Sequence, residues 1–178
     1  EDTDKARKLL AEAGYPGGEG FPKLDYLYNT SDQHRQIAVA LQAIWQRELG
    51  IEISLTNQSW KVYLATRSQE NYDLARAGWF ADYNDPMTFL EIWESESGNN
   101  HSNWGNQAFD RLLAKANRTA DLEKRTQMLM DAEKILIDES PLIPLFYYKR
   151  AYMVNPKVRN WPSNVMNIRK YQVIDIEP

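Results

Sequence analysis

The chain has 178 residues, 43% hydrophobic and 26% charged, which suits a folded domain and excludes disorder or collagen-like repetition. Twenty-one Lys and Arg against 25 Asp and Glu leave a net charge of -4, so no basic field exists to recruit a phosphate backbone and nucleic acid is not an expected partner. With no cysteine there is no disulfide, thiol nucleophile or Cys-ligated zinc, and a mean hydropathy of -0.64 without a long apolar run argues against membrane insertion. The opening at Glu1, with neither Met nor a basic-then-apolar leader, is expected of mature protein or an excised piece.

From Asp4 to Ala13 the residues Ala6, Leu9, Leu10 and Ala13 recur at helical spacing, and Gly14 followed by Pro16 stops the helix. Leu24 to Tyr28 reads as a strand. Thr30 and Gln33 form a capping-box pattern ahead of a long helix with Ile37, Leu41, Ile44, Trp45 and Leu49 on one face, ended by Gly50. Ile51, Ile53 and Leu55 alternate as a second strand, a helix follows from about Ser59 to Arg67, and a third strand runs from about Tyr72 to Trp79. This βαβαβ run predicts an α/β fold with a largely parallel sheet, its strand order left open by local signals. Beyond Pro86 come a short apolar helix (Phe89, Ile92, Trp93), a polar loop from Ser95 to Asn103, and two helices from about Gln107 to Asn117 and Asp121 to Glu139. An Asp121–Arg125 pair supports the last helix and Pro141 closes it. Leu142 to Tyr148 reads as a strand, and after Asn155 apolar periodicity lapses until Val173, Ile174 and Ile176.

In open α/β sheets ligands bind outside the carboxyl ends of the strands, which draws attention to YNTSDQH with His34, NQSW with Trp60, and ARAGWFADYNDP. If the third strand stays extended, period two puts Arg76, Gly78, Phe80 and Asp82 on one side with opposite charges at its ends. A short zwitterionic peptide has that charge pattern: Asp82 would meet its α-ammonium and Arg76 its α-carboxylate. Gly78 would let its backbone approach as an added strand. Pairing of Arg76 and Asp82 with neighbouring protein charges is the plain alternative, as are a capping role for His34 and a surface role for Arg67. Two histidines make a histidine metal site improbable, and carboxylate binding of a metal by Asp82 and Asp85 has little support, so neither a metal nor a cofactor is expected. No nucleophile elbow, Walker loop, dinucleotide fingerprint or zinc-protease motif is present, so no enzyme is expected and no catalytic residue is assigned.

YNTSDQH, NQSWKVYLATR, ARAGWFADYNDP, NNHSNWGNQAFD and ESPLIPLFYY stand in the order and at roughly the spacing that resembles periplasmic oligopeptide-binding proteins, the family 5 extracellular solute-binding components of ABC importers. The resemblance implies one lobe of a two-lobed, type II periplasmic-binding-protein-like fold, with a mixed, mostly parallel sheet flanked by helices. Residues 1–155 would form part of the second lobe and 156–178 a tail returning to the first lobe, which lies outside this chain. By position, Asp82 looks like the aspartate that binds the peptide amino terminus, and Arg76, Arg67 and His34 like the residues that meet carboxyl termini of peptides of differing length. Trp60 and Trp79 resemble walls of side-chain pockets, Gly78 falls in the ligand-pairing strand, and Phe80 departs from the smaller residue of close relatives. The implied partners are a short peptide, a membrane ABC permease and the missing first lobe, and the implied location is the periplasm or a lipid-anchored extracellular position in a single-membrane bacterium. A solute-sensing or protein-docking domain on the same fold is the competing expectation; an acid/base enzyme using Asp82, Asp85 and His34 is a remoter one.

Overall fold

A computed structural model of the chain describes residues 2–149, 151–162, 164, 166 and 168–177; Ser163, Val165, Asn167 and Pro178 of the predicted tail lie outside the described residues, as do Glu1 and Arg150. Two units follow one another along the sequence, Glu1–Gly78 and Trp79–Pro178. In the first, β1 (Leu24–Asn29) is the central strand, with β2 (Ile53–Gln58) and β3 (Leu74–Ala75) pairing parallel on either side in the order β2-β1-β3. Tyr26, Leu27 and Tyr28 are consecutive and all buried, the pattern of a strand covered on both faces. Parallel neighbours need long crossovers, supplied by α2 (Asp32–Leu49) and α3 (Trp60–Ser68). The apolar stripe of α2 presents Leu41, Trp45 and Leu49 to a core of Tyr26, Tyr28, Ala38 and Ile53, to which α1 (Thr3–Glu12) adds Leu10.

Gly50 ends α2 in the left-handed conformation at φ 71. The helical turn Pro16–Gly18 lies against this end so closely that a Cβ on Gly50 would collide with the Gly17 carbonyl oxygen and one on Gly18 would stand 2.5 Å from that of Leu49. Side chains are thus excluded from both sides of the contact.

Local expectations fail in this unit where distant partners intervene. The Thr30/Gln33 capping box does not form: Thr30 Oγ1 donates to Asn57 Oδ1 (3.0 Å) and the Gln58 carbonyl (3.1 Å), and Ser31 takes the N-cap position. Strand β2 begins at Ile53 rather than Ile51. The third strand has two residues instead of eight; Arg76 N–H donates to the Leu27 carbonyl (2.8 Å) as a last rung, and the chain then leaves the ladder at Gly78 for the bends of ADYNDP. The period-two face through Arg76, Gly78, Phe80 and Asp82 is therefore not a strand face.

In the second unit, α4 (Met87–Leu90) and the 3-10 turn Glu91–Trp93 pack with α5 (Gln107–Ala116) and α6 (Leu122–Glu139) around Met87, Leu90, Phe109, Leu113, Leu129 and Leu136. Asn106 caps α5 and Asp121 caps α6, each accepting two backbone N–H bonds. The expected Asp121–Arg125 pair is absent: Asp121 is occupied by the cap and by Lys124 (3.1 Å), while Arg125 reaches Asp85. Ser140, at φ 54, ends α6 just before Pro141. The expected strand Leu142–Tyr148 does not form. In the tail, β4 (Val158–Arg159) and β5 (Asp175–Ile176) form an antiparallel pair with no counterpart in the sequence reading. Among the described residues no helix is long and apolar enough to cross a membrane.

Gly50→Ala is expected to lower stability by more than about 1 kcal/mol, because it adds a left-handed backbone penalty to a backbone collision. A urea unfolding midpoint unchanged from wild type would contradict this account of the contact.

Candidate functional site

The carboxyl ends of the three strands bring together much of the polar chemistry of the first unit. Asn29 ends β1 and pairs in register with Gln58, which ends β2; His34 lies in the first turn of α2, Trp60 opens α3 and Arg76 follows β3. His34 and Arg76 are near enough to interact: burial first, and then the Arg76 guanidinium, hold the imidazole below its usual pKa, while a hydrogen bond from the ring to the Asn29 carbonyl pulls the other way. His34 is thus predominantly neutral at pH 7. Tyr63 is fully buried and donates its hydroxyl to the Arg76 carbonyl, fixing the backbone on which Arg76 is mounted. Trp60, 55% exposed, stacks on Tyr63 at 5.6 Å between ring centroids and presents an open indole face. Arg67 sits in the last turn of α3 and interacts electrostatically with Tyr72. Gly78 is the last residue of the unit.

The second unit holds Trp79, Phe80 and Asp82. Phe80 is 60% exposed and lies 6.0 Å from the Tyr148 ring. Asp82 donates its backbone N–H to Oγ1 of fully buried Thr88 (3.1 Å), which ties its loop to α4. With Trp79, Asp82 lines a cavity of about 530 Å³ whose ionisable lining is carboxylate alone: Asp82, Glu91, Glu94, Glu96 and Asp110. Ser95 donates to both oxygens of Asp110, from its backbone N–H (3.1 Å) and its hydroxyl (2.7 Å). Burial, and then Asp110 and Glu91, push the Glu94 carboxyl above its usual pKa. The ionisable groups lining this cavity are thus of one sign. Asp85 is not part of it: Arg125 grips both its oxygens at 2.7 and 2.9 Å, its Oδ1 also accepts from Met87 N–H, and these bonds hold its carboxyl below the ordinary value. This carboxylate anchors the loop beside Asp82 and is not available to a metal or a substrate proton.

Of the eight residues singled out from sequence, five lie in the first unit and three in the second; His34 is brought to Arg76, and Trp79 shares the cavity of Asp82. Sequence reasoning missed Asn29 and Gln58, although each ends a strand inside a quoted block, and missed the carboxylates of α5 and the Glu91–Trp93 turn, which gather only when the helices pack. The described residues contain no cluster of three or more side chains suited to a metal ion.

Comparison with known proteins then places these residues in context. Residues 1–101 match the family model described as bacterial extracellular solute-binding proteins, family 5 Middle. The chain is 43% identical over 156 residues to the periplasmic oligopeptide-binding protein OppA of Salmonella typhimurium, covering 88% of this chain and 28% of that protein. It is 38% identical to the Escherichia coli periplasmic murein peptide-binding protein MppA, covering 90% of this chain and 30% of that protein. Among solved structures it superposes on the unliganded open form of MppA with a TM-score of 0.85 at 35% identity, over 98% of this chain and 34% of that one. On Haemophilus influenzae OppA in complex with RPPGFSPFR the TM-score is 0.81 at 36% identity, over 90% of this chain and 31% of that one. The chain thus spans less than a third of the length of these curated relatives.

Arg125→Met is expected to cost about 1–2 kcal/mol at pH 7, since it leaves a partly buried carboxylate without its bidentate partner. Asp85 has a lowered folded pKa, so its contribution is present above the unfolded value of 3.8 and is lost as pH falls through the folded value. Urea titrations of both proteins should therefore converge toward pH 3; a gap undiminished by acid would rule out the ion pair as its source.

Proposed function

Because the chain belongs to the bacterial extracellular solute-binding proteins of family 5, we propose that it binds short peptides by their main chain and termini, as part of a longer polypeptide that delivers them to an ABC importer. The observation that carries this reading is Asp82, set in a cavity whose ionisable lining is entirely acidic and suited to the α-ammonium of a peptide. Arg76 meets the α-carboxylate, and Arg67, or His34 once a carboxylate beside it has favoured its protonation, serves peptides of other lengths. Trp60, Trp79 and Phe80 wall the side-chain pockets, and Gly78 lets the ligand backbone approach. The ligand leaves chemically unchanged. The setting is the periplasm, or the outer surface of a single-membrane bacterium with a lipid anchor.

Residues 1–155 belong to the second lobe and 156–178 return to the first. Supporting a covering first lobe is the exposed apolar run from Ile143 to Val154, in which Tyr147 is 95% and Met153 104% exposed. A soluble protein covers such a run, and the part of the relatives beyond this chain supplies the cover. One lobe alone also lacks the enclosure that strengthens charge pairing, so the isolated 178 residues bind peptide weakly.

Calorimetric titration of the full-length polypeptide with a tripeptide and its N-acetylated counterpart tests the assignment. Acetylation, or Asp82→Asn, is expected to weaken binding by about 10- to 100-fold, the worth of a charge-assisted hydrogen bond. Equal binding of the two ligands would remove amine recognition from Asp82.

A further inference from the structure

The buried hydroxyl of Tyr63 makes no peptide contact in the reading above, yet it joins the two elements that carry Trp60, Arg67 and Arg76. Trp60, Tyr63 and Arg67 stand at positions i, i+3 and i+7 of α3, one stripe of the helix, and Tyr63 is the member that is wholly buried. Its ring stacks on the Trp60 indole, 5.6 Å between centroids and 23° between planes, and its hydroxyl donates to the carbonyl of Arg76, 13 residues along the chain. Arg76 stands where the third strand has ended. Its N–H makes the last rung to β1, on the Leu27 carbonyl, while its own carbonyl, the next acceptor along, takes the side chain from α3. The peptide groups on either side of the Arg76 Cα are therefore held from two directions, one by the sheet and one by the helix. With both fixed, the guanidinium has only its own side-chain torsions to explore.

We propose that Tyr63 is a positioning residue: its hydroxyl sets the Arg76 guanidinium, and through it the recognition of a peptide's carboxyl terminus. This rests on the peptide reading above and adds to it a residue that touches no ligand. A phenylalanine would fill the same space and keep the stack on Trp60, so packing alone does not call for the oxygen. The acceptor that the hydroxyl satisfies belongs to a residue assigned to the ligand. A guanidinium grips a carboxylate through two parallel bonds, and a displacement beyond about 0.5 Å spoils that geometry. The same tie governs the step between Arg76 and Arg67, the two cations assigned to peptides of different length, because Arg67 lies one turn beyond Tyr63 on the same stripe.

The test is a double-mutant cycle in the full-length polypeptide, read by calorimetric titration with trialanine and with its C-terminal amide, which lacks the carboxylate. Wild type is expected to favour the acid by at least about tenfold. Tyr63→Phe should cut that preference about fivefold through weaker binding of the acid, with amide affinity changed by no more than about twofold. Once Arg76→Met is present, Tyr63→Phe should have no further effect on either ligand. A purely structural hydroxyl would lower the urea midpoint and leave the acid-to-amide ratio as it is. An unchanged ratio therefore overturns the proposal and leaves the peptide reading standing, as does a loss that persists undiminished in the Arg76→Met background. A second readout does not depend on peptides. The Arg76 guanidinium helps to hold His34 below its usual pKa, so in the free protein the imidazole, followed by NMR, should titrate higher in Tyr63→Phe, by part of the rise that Arg76→Met produces. If trialanine and its amide bind alike, or neither binds, the carboxylate assignment of Arg76 fails and this titration decides the rest: a rise retains Tyr63 as the residue that places the guanidinium, and an unmoved value removes it.

Discussion

Everything at the carboxyl edge of the first unit's sheet depends on the register between β1 and β2. Six parallel rungs, from Leu24 opposite Ile53 to Asn29 opposite Gln58, bring the two strands to an end level with one another. Because side chains alternate with a period of two, a slip of one residue between the strands would leave Asn29 and Gln58 on different faces. The register is secured at both ends. Ser54 and Thr56 donate to Asp25 near the start (2.9 and 2.8 Å), and Thr30 bonds to Asn57 and Gln58 at the finish. A hydroxyl that the sequence offers to a helix cap is spent on aligning two strands, and the helix starts one residue later in consequence.

The second unit solves a different problem, that of presenting a carboxylate without helix or strand beneath it. The loop carrying Asp82 is pinned on one side by the buried Thr88 hydroxyl and on the other by the Asp85–Arg125 fork, so the two acidic residues of ADYNDP have opposite fates. One is neutralised by the protein and gives up function to hold shape. The other stands among carboxylates, where burial first, and then the neighbouring Asp110 and Glu91, raise the pKa of Glu94.

Local patterning in the sequence carried the long elements: the stripe of α2, its stop at Gly50, and α5 and α6 all stand within a residue or two of expectation. It also carried the placing of His34 and Trp60 just after strand ends, since that follows from element order alone, whereas Arg76 was expected inside a longer third strand. It failed wherever a partner lay far along the chain. Strand propensity runs through Tyr72–Trp79, but the number of rungs is set by what β1 offers, and Arg125 passes over the carboxylate four residues away for one 40 residues away. The acidic cavity was equally hidden, because Glu91, Glu94 and Asp110 converge only after α5 docks.

The apolar run beyond α6 has a bearing on how the polypeptide avoids self-association. Ile143 to Val154 is rich in β-forming and aromatic residues, and its described residues are exposed, the composition of a segment prone to strand pairing. Pro141 and Pro144 interrupt that edge with positions that cannot donate, and Lys149 adds a charge to its middle. These residues make strand stacking of the run between copies discontinuous.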